Sequence, residues 1–338
     1  MTKKSISLLC FLCIYSVCFA KKVAPYTFYK TDSKHIFAIC LTKNDSMLAV
    51  GDNKIVKVFS TKSAALVQTF PNGHRERILS VDISKDSTLM VSAGKDSSIV
   101  LWDFIHPRIV RTLKFHRGVI TSVKISPDGK YLLSGGSDHR VVLYDIKKDK
   151  IIKEFMDHHS DVTSVSFSLD GQRFLSTGGD GLVCIYSLSE MCLIDSFNEG
   201  KIWIRDACFS KDGNHVLTCN DRPMISTWLI SASDKEKAKP TFPFSGNWLT
   251  SLDLSEDDQI LVYGSIAGDI EVRFDQRGFI GKVGMPINRI LLLRSRDEVL
   301  QFVVSTFGNG VLLMNASTME TLSPENKKIQ KSSSAFGL

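Results

Sequence analysis

At 338 residues, 43% apolar and 23% charged, the chain has the composition of a folded globular protein, which excludes a disordered chain and a polytopic membrane protein. Its length fits two average domains or one large closed repeat. The formal net charge of +6 is mild and gives no reason to expect nucleic acid as a partner.

The first segment reads as a leader. Met1 to Lys4 carry two lysines, Ser5 to Ala20 carry no charge, and Cys18-Phe19-Ala20 ends on a small residue before Lys21-Lys22. This is the pattern of a secretory signal peptide, residues 1–20, cleaved after Ala20. As a helix the run would reach only roughly 24 Å against a hydrocarbon core of roughly 30 Å, so no stable membrane insertion is expected after cleavage. Tyr15-Ser16-Val17 lacks the small residue that normally precedes a lipid-bearing cysteine. Cleavage would remove Lys3, Lys4, Cys10, Cys13 and Cys18, leaving Cys40, Cys184, Cys192, Cys208 and Cys219. These are odd in number and without CxxC spacing. Most sit in apolar patterns as small buried hydrophobes, although Cys208 and Cys219 fall on neighbouring strands and could pair in an oxidising compartment.

Beyond the leader, Tyr26 to Lys30 is a short β-rich run, followed by Phe37 to Leu41, Met47 to Gly51 and Val56 to Ser60. Three copies of one pattern come next: His74, Ser92, Asp96 and Trp102, then His116, Ser134, Asp138 and Tyr144, then His158, Ser176, Asp180 and Tyr186. Each corresponding pair is 42 residues apart. Within a copy, four apolar runs, strands a to d, such as Val119 to Ile125, Tyr131 to Ser134, Val141 to Ile146 and Ile151 to Phe155, alternate with turns such as Pro127-Asp128-Gly129. A period near 40 to 45 residues with four strands per period predicts a β-propeller of four-stranded blades.

Degenerate units follow. The fifth runs over Ile202 to Ser210, Val216 to Cys219 and Ile225 to Ile230, with Thr218 and Trp228 in register and Gly200 in place of the histidine. Leu249 to Ser255, Ile260 to Gly264 and Ile270 to Asp275 make a sixth, and Ile287 to Leu293, Leu300 to Ser305 and Gly310 to Asn315 a seventh. The expectation is an all-β, seven-bladed propeller over residues 21–322, closed by the N-terminal strand in preference to Met319 to Leu322. A charged loop is expected at Ser231 to Thr241 and a disordered polar tail at 323–338.

The pieces His116, Val123 to Gly129, Leu132 to Asp138 and Leu143-Tyr144-Asp145 resemble one WD repeat of the beta-transducin-like propellers, and Leu101-Trp102-Asp103 carries the namesake dipeptide. The resemblance implies that His, Ser, Asp and the aromatic ring form an internal hydrogen-bonded network in each blade, so the His-Ser-Asp set is structural and not a catalytic triad. It also implies a non-enzymatic scaffold that binds a protein or peptide on the face made by the d-to-a loops and b-to-c turns. The third residue past the histidine is expected to look out from that face: His35, Arg77, Val119, Asp161, Trp203, Leu249 and Arg289, with Trp248 beside Leu249. Tryptophan and arginine are enriched in binding hot spots, so Trp203, Trp248, Arg77, Arg289, Asp161 and His35 are the candidate contacts.

No cofactor is expected, since phosphate-cradling glycine motifs are missing. Asp157-His158-His159-Ser160-Asp161 has metal-binding residue types, but the register already uses His158, so no metal is expected. Sequons at Asn44 and Asn315 read as loop positions. The leader predicts a secreted, periplasmic or secretory-lumen protein. The alternative is a cytoplasmic or membrane-anchored scaffold retaining its N-terminus, and the second alternative, an enzyme of a lyase or hydrolase type on a propeller scaffold, is disfavoured because no unrepeated polar constellation converges on the channel.

Overall fold

At the end of strand a in six blades a serine or threonine is followed two residues later by aspartate or asparagine, and each time the pair closes the same turn. Thr42, Ser84, Ser126, Ser168, Ser210 and Ser255 donate their hydroxyls to Asn44, Asp86, Asp128, Asp170, Asp212 and Asp257 at 2.5–2.8 Å. The same hydroxyl oxygens accept the amide N–H five residues on, in Ser126 from Tyr131 at 2.8 Å. The next position is left-handed in all six. Gly129, Gly171 and Gly213 occupy it without strain, at φ between 68° and 72°, while Asp45, Ser87 and Asp258 hold it at φ between 54° and 62°. Each turn sends strand a back as strand b.

A computed structural model describes residues 26–230, 239–243, 247–274, 277–293, 300–316 and 319–321. Following β1 (Tyr26–Tyr29), blade 1 is β2 (Ile39–Leu41), β3 (Met47–Asp52), β4 (Ile55–Ser60) and β5 (Leu66–Phe70). Blade 2 is β6 (Ile78–Ile83), β7 (Leu89–Gly94), β8 (Ile99–Asp103) and β9 (Arg108–Leu113). Blade 3 is β10 (Ile120–Ile125), β11 (Tyr131–Gly136), β12 (Val141–Asp145) and β13 (Lys150–Phe155). Blade 4 is β14 (Val162–Phe167), β15 (Arg173–Gly178), β16 (Leu182–Ser187) and β17 (Cys192–Asn198). Blade 5 is β18 (Ile204–Phe209), β19 (His215–Asn220), β20 (Met224–Leu229) and β21 (Lys239–Pro243). Blade 6 is β22 (Leu249–Leu254), β23 (Ile260–Ser265), β24 (Asp269–Phe274) and β25 (Arg277–Lys282). Blade 7 is β26 (Ile287–Leu293), β27 (Gln301–Thr306) and β28 (Val311–Asn315), completed by β1. The seven antiparallel sheets form a β-propeller.

The cores lie between blades. Val58 and Phe70 of blade 1 pack with Val81, Met90 and Trp102 of blade 2. The same kind of cluster recurs at every junction round to Leu293, Val303 and Val311 of blade 7, which pack with Ile36, Leu48 and Phe59 of blade 1 and with Tyr29 of β1. At about 25 cal/mol per Å² of apolar surface buried, these junctions supply most of the drive to fold. The N-terminal strand closes the ring, with Tyr26 to Tyr29 paired antiparallel to Met314 to Val311. The competing C-terminal run contributes β29 (Glu320–Thr321), which adds a fifth strand to blade 6 against Phe279 and Ile280.

Three expectations change. The stretch read as a charged loop to Thr241 supplies, from Lys239, the outer strand of blade 5, because the blade needs a fourth strand and an outer edge tolerates proline. Asn315 pairs with Gln301 at the end of β28 and is not a loop residue. Cys208 and Cys219 are free thiols, since the register sets Cys208 opposite Leu217 and Cys219 opposite Asp206. The leader and the 323–338 tail lie outside the described residues, which contain no helix long and apolar enough to cross a membrane.

Deleting residues 26–30 is expected to lower the melting temperature by several degrees and to cause self-association, because β28 becomes an open edge over a half-exposed core. Deletion from residue 319 onward should change melting little. Calorimetry and light scattering on the two truncations check both outcomes.

Candidate functional site

The three regular blades build the same chain of hydrogen bonds. In blade 2 the Trp102 indole N–H donates to Ser92 Oγ at 2.8 Å, Ser92 Oγ lies 2.7 Å from His74 Nε2, and His74 Nδ1 lies 3.1 Å from Asp96. The sequence Trp N–H to Ser to His to Asp is satisfied in one direction by a neutral imidazole carrying its proton on Nδ1. Burial holds the His74 pKa below the ordinary value despite Asp96. Blades 3 and 4 repeat the core of it, with His116 to Ser134 and His158 to Ser176 both at 2.8 Å, and with Asp138 and Asp180 on the other ring nitrogen.

Bond for bond this is the polarity of a catalytic triad, yet Ser92, Ser134 and Ser176 are each 0% exposed. A nucleophile sealed from substrate cannot act as one, so the sets are structural. The tyrosines depart from tryptophan as their chemistry allows. Tyr144 turns its hydroxyl to Asp149 and receives Arg111 at 3.2 Å, leaving Ser134, whereas Tyr186 stays 3.4 Å from Ser176 and donates to Asp157 at 3.1 Å. With His158 bonded to Ser176 and Asp180 and Asp157 receiving Tyr186, the Asp157 to Asp161 stretch is committed to its blade.

Blade 5, with Gly200 where the regular blades have histidine, builds a network of its own. Glu199 reaches in from the d-to-a loop, accepting the Trp228 indole N–H at 2.9 Å together with the Thr218 hydroxyl and the Asn220 amide. One carboxylate replaces histidine and aspartate at once. In blade 6 Tyr263 stands at the serine position and Arg273 at the tryptophan position. They bond at 3.0 Å, with Glu271 paired to the same guanidinium. In blade 1 Lys57 bridges Asp32 and Asp52 at 2.7 and 2.9 Å. Blade 7 has the apolar Val304 and Met314 at those positions.

A repeated β-bulge fixes equivalence between blades. Strand a shifts register between Ile78 and Ser80, Ile120 and Ser122, Val162 and Ser164, Ile204 and Asp206, Leu249 and Ser251, and Ile287 and Arg289. His35, Arg77, Asp161 and Trp203 therefore precede their strands on the loop face. In blades 6 and 7 the matching residues are Trp248 and Pro286, not Leu249 and Arg289. Leu249 is fully buried, and Arg289 lies deeper, at the level of Asp206. The apparent spacing misled because blades 6 and 7 have no histidine to anchor the count.

On this face, side chains from blades 5, 6 and 7 form an apolar arc. Trp203, Trp248, Ile266, Met285 and Phe307 are 38–49% exposed. Trp203 lies against Gly179, where a Cβ would come within 2.9 Å of its ring, and beneath the Arg205 guanidinium at 5.1 Å. Arg205 is held in turn by Asp221 at 2.6 and 3.1 Å. Ile266 N–H donates to Trp248 C=O at 2.9 Å, Met285 packs on Gly308, and Phe307 stacks 4.0 Å from His35. Phe37 continues the arc 6.2 Å from Phe307, with the Arg77 guanidinium 5.4 Å above it. Asp161 lies beside the arc, its C=O accepting at 2.9 Å the N–H of the Gly179 on which Trp203 rests, and its carboxylate 3.8 Å from His139.

Below the arc, charged side chains from the inner strands meet in the central channel, a convergence the sequence reading did not foresee. Arg289 of blade 7 reaches Asp206 of blade 5 at 2.5 Å, passing in front of blade 6, whose Ser251 also donates to Asp206 at 2.9 Å. Lys124 pairs with Asp82 at 3.1 Å, and Asp82 holds its pKa up at about 12. Asp253, accepting the Leu292 N–H at 2.8 Å, is pushed up to about 6 by desolvation among the channel walls. Charged residues at alternate positions of strand a, where other blades have serine, are the sequence signal that marks them. Among the described residues no group of three or more potential metal ligands assembles.

Fold and repeated networks together define a seven-bladed propeller whose regular blades are built from one sequence unit. Residues 64–103, 107–145 and 149–187 match the family described as WD domain, G-beta repeat. These three units are WD repeats, each running from the outer strand of one blade to strand c of the next. No curated protein matches the chain. WD-repeat propellers are generally protein-interaction scaffolds without enzymatic activity.

Two carboxylates are expected to give opposite pH profiles. In Asp180 burial opposes the charge but is outweighed by hydrogen bonds from His158 and the His159 N–H, so its pKa falls to about 2. Its contribution is present above the ordinary 3.8 and is lost as the pH falls toward 2. The stability advantage of the native chain over Asp180→Asn should therefore vanish over that window. Asp253 is raised, so its charge destabilises above about pH 6, and any gain from Asp253→Asn should appear there and fade toward pH 4. Urea midpoints measured from pH 2 to pH 8 on both variants separate the two signs.

Proposed function

We propose that the chain is a non-enzymatic binding platform that holds a protein or peptide against the d-to-a and b-to-c loop face. The observation that carries this is the set of five half-exposed apolar side chains from Trp203 to Phe307, on the loop side of three consecutive blades, with the Arg205 guanidinium over Trp203 and that of Arg77 over the neighbouring Phe37. A contiguous apolar patch with a polar rim is the character of an interaction surface, and exposed tryptophans beside arginines are hot-spot chemistry. The Glu199 network matters to this reading. Since blade 5 already has its carboxylate and its own Trp228, Trp203 has no vacant core to cover. Trp203→Ala with Trp248→Ala is expected to leave the melting temperature within a few degrees and to weaken partner capture at least about tenfold. Capture by a folded double variant at the native level would remove this face from consideration.

Export is proposed on the pattern of residues 1–20, with the mature chain starting at Lys21. One observation favours the second reading, an intracellular scaffold with an uncleaved N-terminal anchor. The five cysteines from Cys40 onward are free thiols, and burial pushes up Cys40, Cys184, Cys208 and Cys219, so the fold needs no oxidising compartment. Amino-terminal sequencing of the natural protein decides between them: Lys21 supports export, and an intact Met1 overturns it.

A further inference from the structure

Of the six hydroxyl-capped turns that end strand a, five use aspartate and the one in blade 1 uses asparagine. Asn44 caps its turn with oxygen alone. Its Oδ1 accepts from the Thr42 hydroxyl at 2.8 Å, from the Ser46 hydroxyl at 2.7 Å and from the Ser46 N–H at 3.2 Å. The backbone N–H can only donate, which fixes the atom facing it as the oxygen. Aspartate serves the turn equally well, since Asp86 in blade 2 takes the Ser84 and Thr88 hydroxyls at 2.6 and 2.9 Å through one oxygen. What asparagine adds is a nitrogen. Asn44 is exposed, and among the described residues its hydrogen bonds all fall on Oδ1, so Nδ2 keeps two unused N–H groups turned to solvent.

The same turn supplies the rest of an acceptor site. Asn44-Asp45-Ser46 is a sequon without proline at its centre, and the turn sets the Ser46 hydroxyl directly against the Asn44 amide. Asp45 contributes the left-handed backbone, at φ 54°, that brings the two together. The bonds around Asn44 lie within Thr42 to Met47, so this arrangement needs no contact from elsewhere in the blade. Asn315, the other sequon asparagine, is a ladder residue of β28 opposite Gln301, and the Ala316 that follows it is 2% exposed.

We infer that Asn44 carries an N-linked glycan and that Asn315 does not. This rests on the export reading above and narrows it to a lumen that glycosylates. Asn44 Nδ2 forms a bond to the anomeric carbon of a sugar delivered as a lipid-linked oligosaccharide pyrophosphate. The anomeric C–O bond breaks, the lipid pyrophosphate leaves, and one amide proton is released. Oδ1 keeps its three hydrogen bonds throughout, so the turn accepts the sugar without rearranging. Strand a runs from the loop face to this turn, which places the glycan on the opposite face of the propeller and leaves Trp203, Trp248 and Phe307 clear of it.

The test takes the natural protein, digests it with a peptide N-glycosidase in heavy-oxygen water and reads the peptides by mass spectrometry, since release of the glycan converts its asparagine to labelled aspartate. Label at residue 44 on a chain that begins at Lys21 is the expected result. Unmodified Asn44 on a chain that begins at Lys21 overturns the glycan while export stands, and unmodified Asn44 on a chain that retains Met1 overturns both. Label at residue 315 overturns the choice between the two sequons. In the full chain expressed through a secretory pathway, Asn44→Asp and Ser46→Ala should each abolish the glycosidase-sensitive shift in gel mobility. Asn44→Asp should melt within about 2 °C of the deglycosylated native chain, because aspartate caps the other five turns. A mobility shift that survives in folded Asn44→Asp assigns the glycan to another residue and overturns the inference.

Discussion

Everything in this molecule depends on one constraint, that a blade has no core of its own. Each four-stranded sheet has two apolar faces, and the side chains that fill them, such as Met90 and Trp102 or Leu133 and Phe174, meet partners only on the adjoining blade. A row of such sheets is stable only when the last finds the first. The N-terminal strand achieves this by pairing with β28 while its Tyr29 enters the junction between blades 7 and 1. Closure therefore joins the two ends of the chain through backbone hydrogen bonds and an apolar cluster at once, and it abolishes an edge that would otherwise recruit other strands.

Within that frame the polar networks solve a second problem, which is how to hold the d-to-a loop down onto the sheet. The histidine version in blades 2 to 4 uses a neutral imidazole bridging serine and aspartate. Glu199 in blade 5 does the same with one carboxylate that collects an indole, a hydroxyl and an amide. In blade 6 the corresponding positions are satisfied within the sheet itself, by Tyr263, Arg273 and Glu271. What is preserved is satisfaction of buried donors and acceptors and not the identity of the residues, as expected when an unpaired buried polar group is the costly outcome.

The sequence revealed the period, the blade count and the strand that closes the ring, because these follow from repeated spacings and turn chemistry that a chain displays in one dimension. The outer strands of blades 5 and 6 were not legible. Lys239–Pro243 is interrupted by two prolines, and Arg277–Lys282 has only Phe279 and Ile280 as apolar residues, so neither shows an alternating pattern to announce it. Arg289, three residues past Pro286, was misassigned because blades 6 and 7 lack both the histidine and the landmarks that Thr218 and Trp228 still provide in blade 5, so nothing in the linear chain marks where their strand a begins. Glu199 and the channel charges Asp82, Lys124, Asp206 and Asp253 escaped because their partners come from other blades or loops. In the linear chain each is an isolated charge.

The inward commitment that stabilises the blades withdraws hydrogen-bonding capacity from the loop face, not charge. Asp180, bonded to a histidine, stays ionised because the hydrogen bonds it accepts outweigh the cost of its burial. What differs between the halves of the ring is apolar surface. The loops of blades 5 to 7, freed from the histidine pattern, present tryptophan, methionine and phenylalanine where the regular blades present polar turns. The repeated networks of blades 2 to 4 and the exposed apolar side chains of blades 5 to 7 are thus carried by different halves of the chain, because a loop whose residues are tied into its own blade cannot also present them outward.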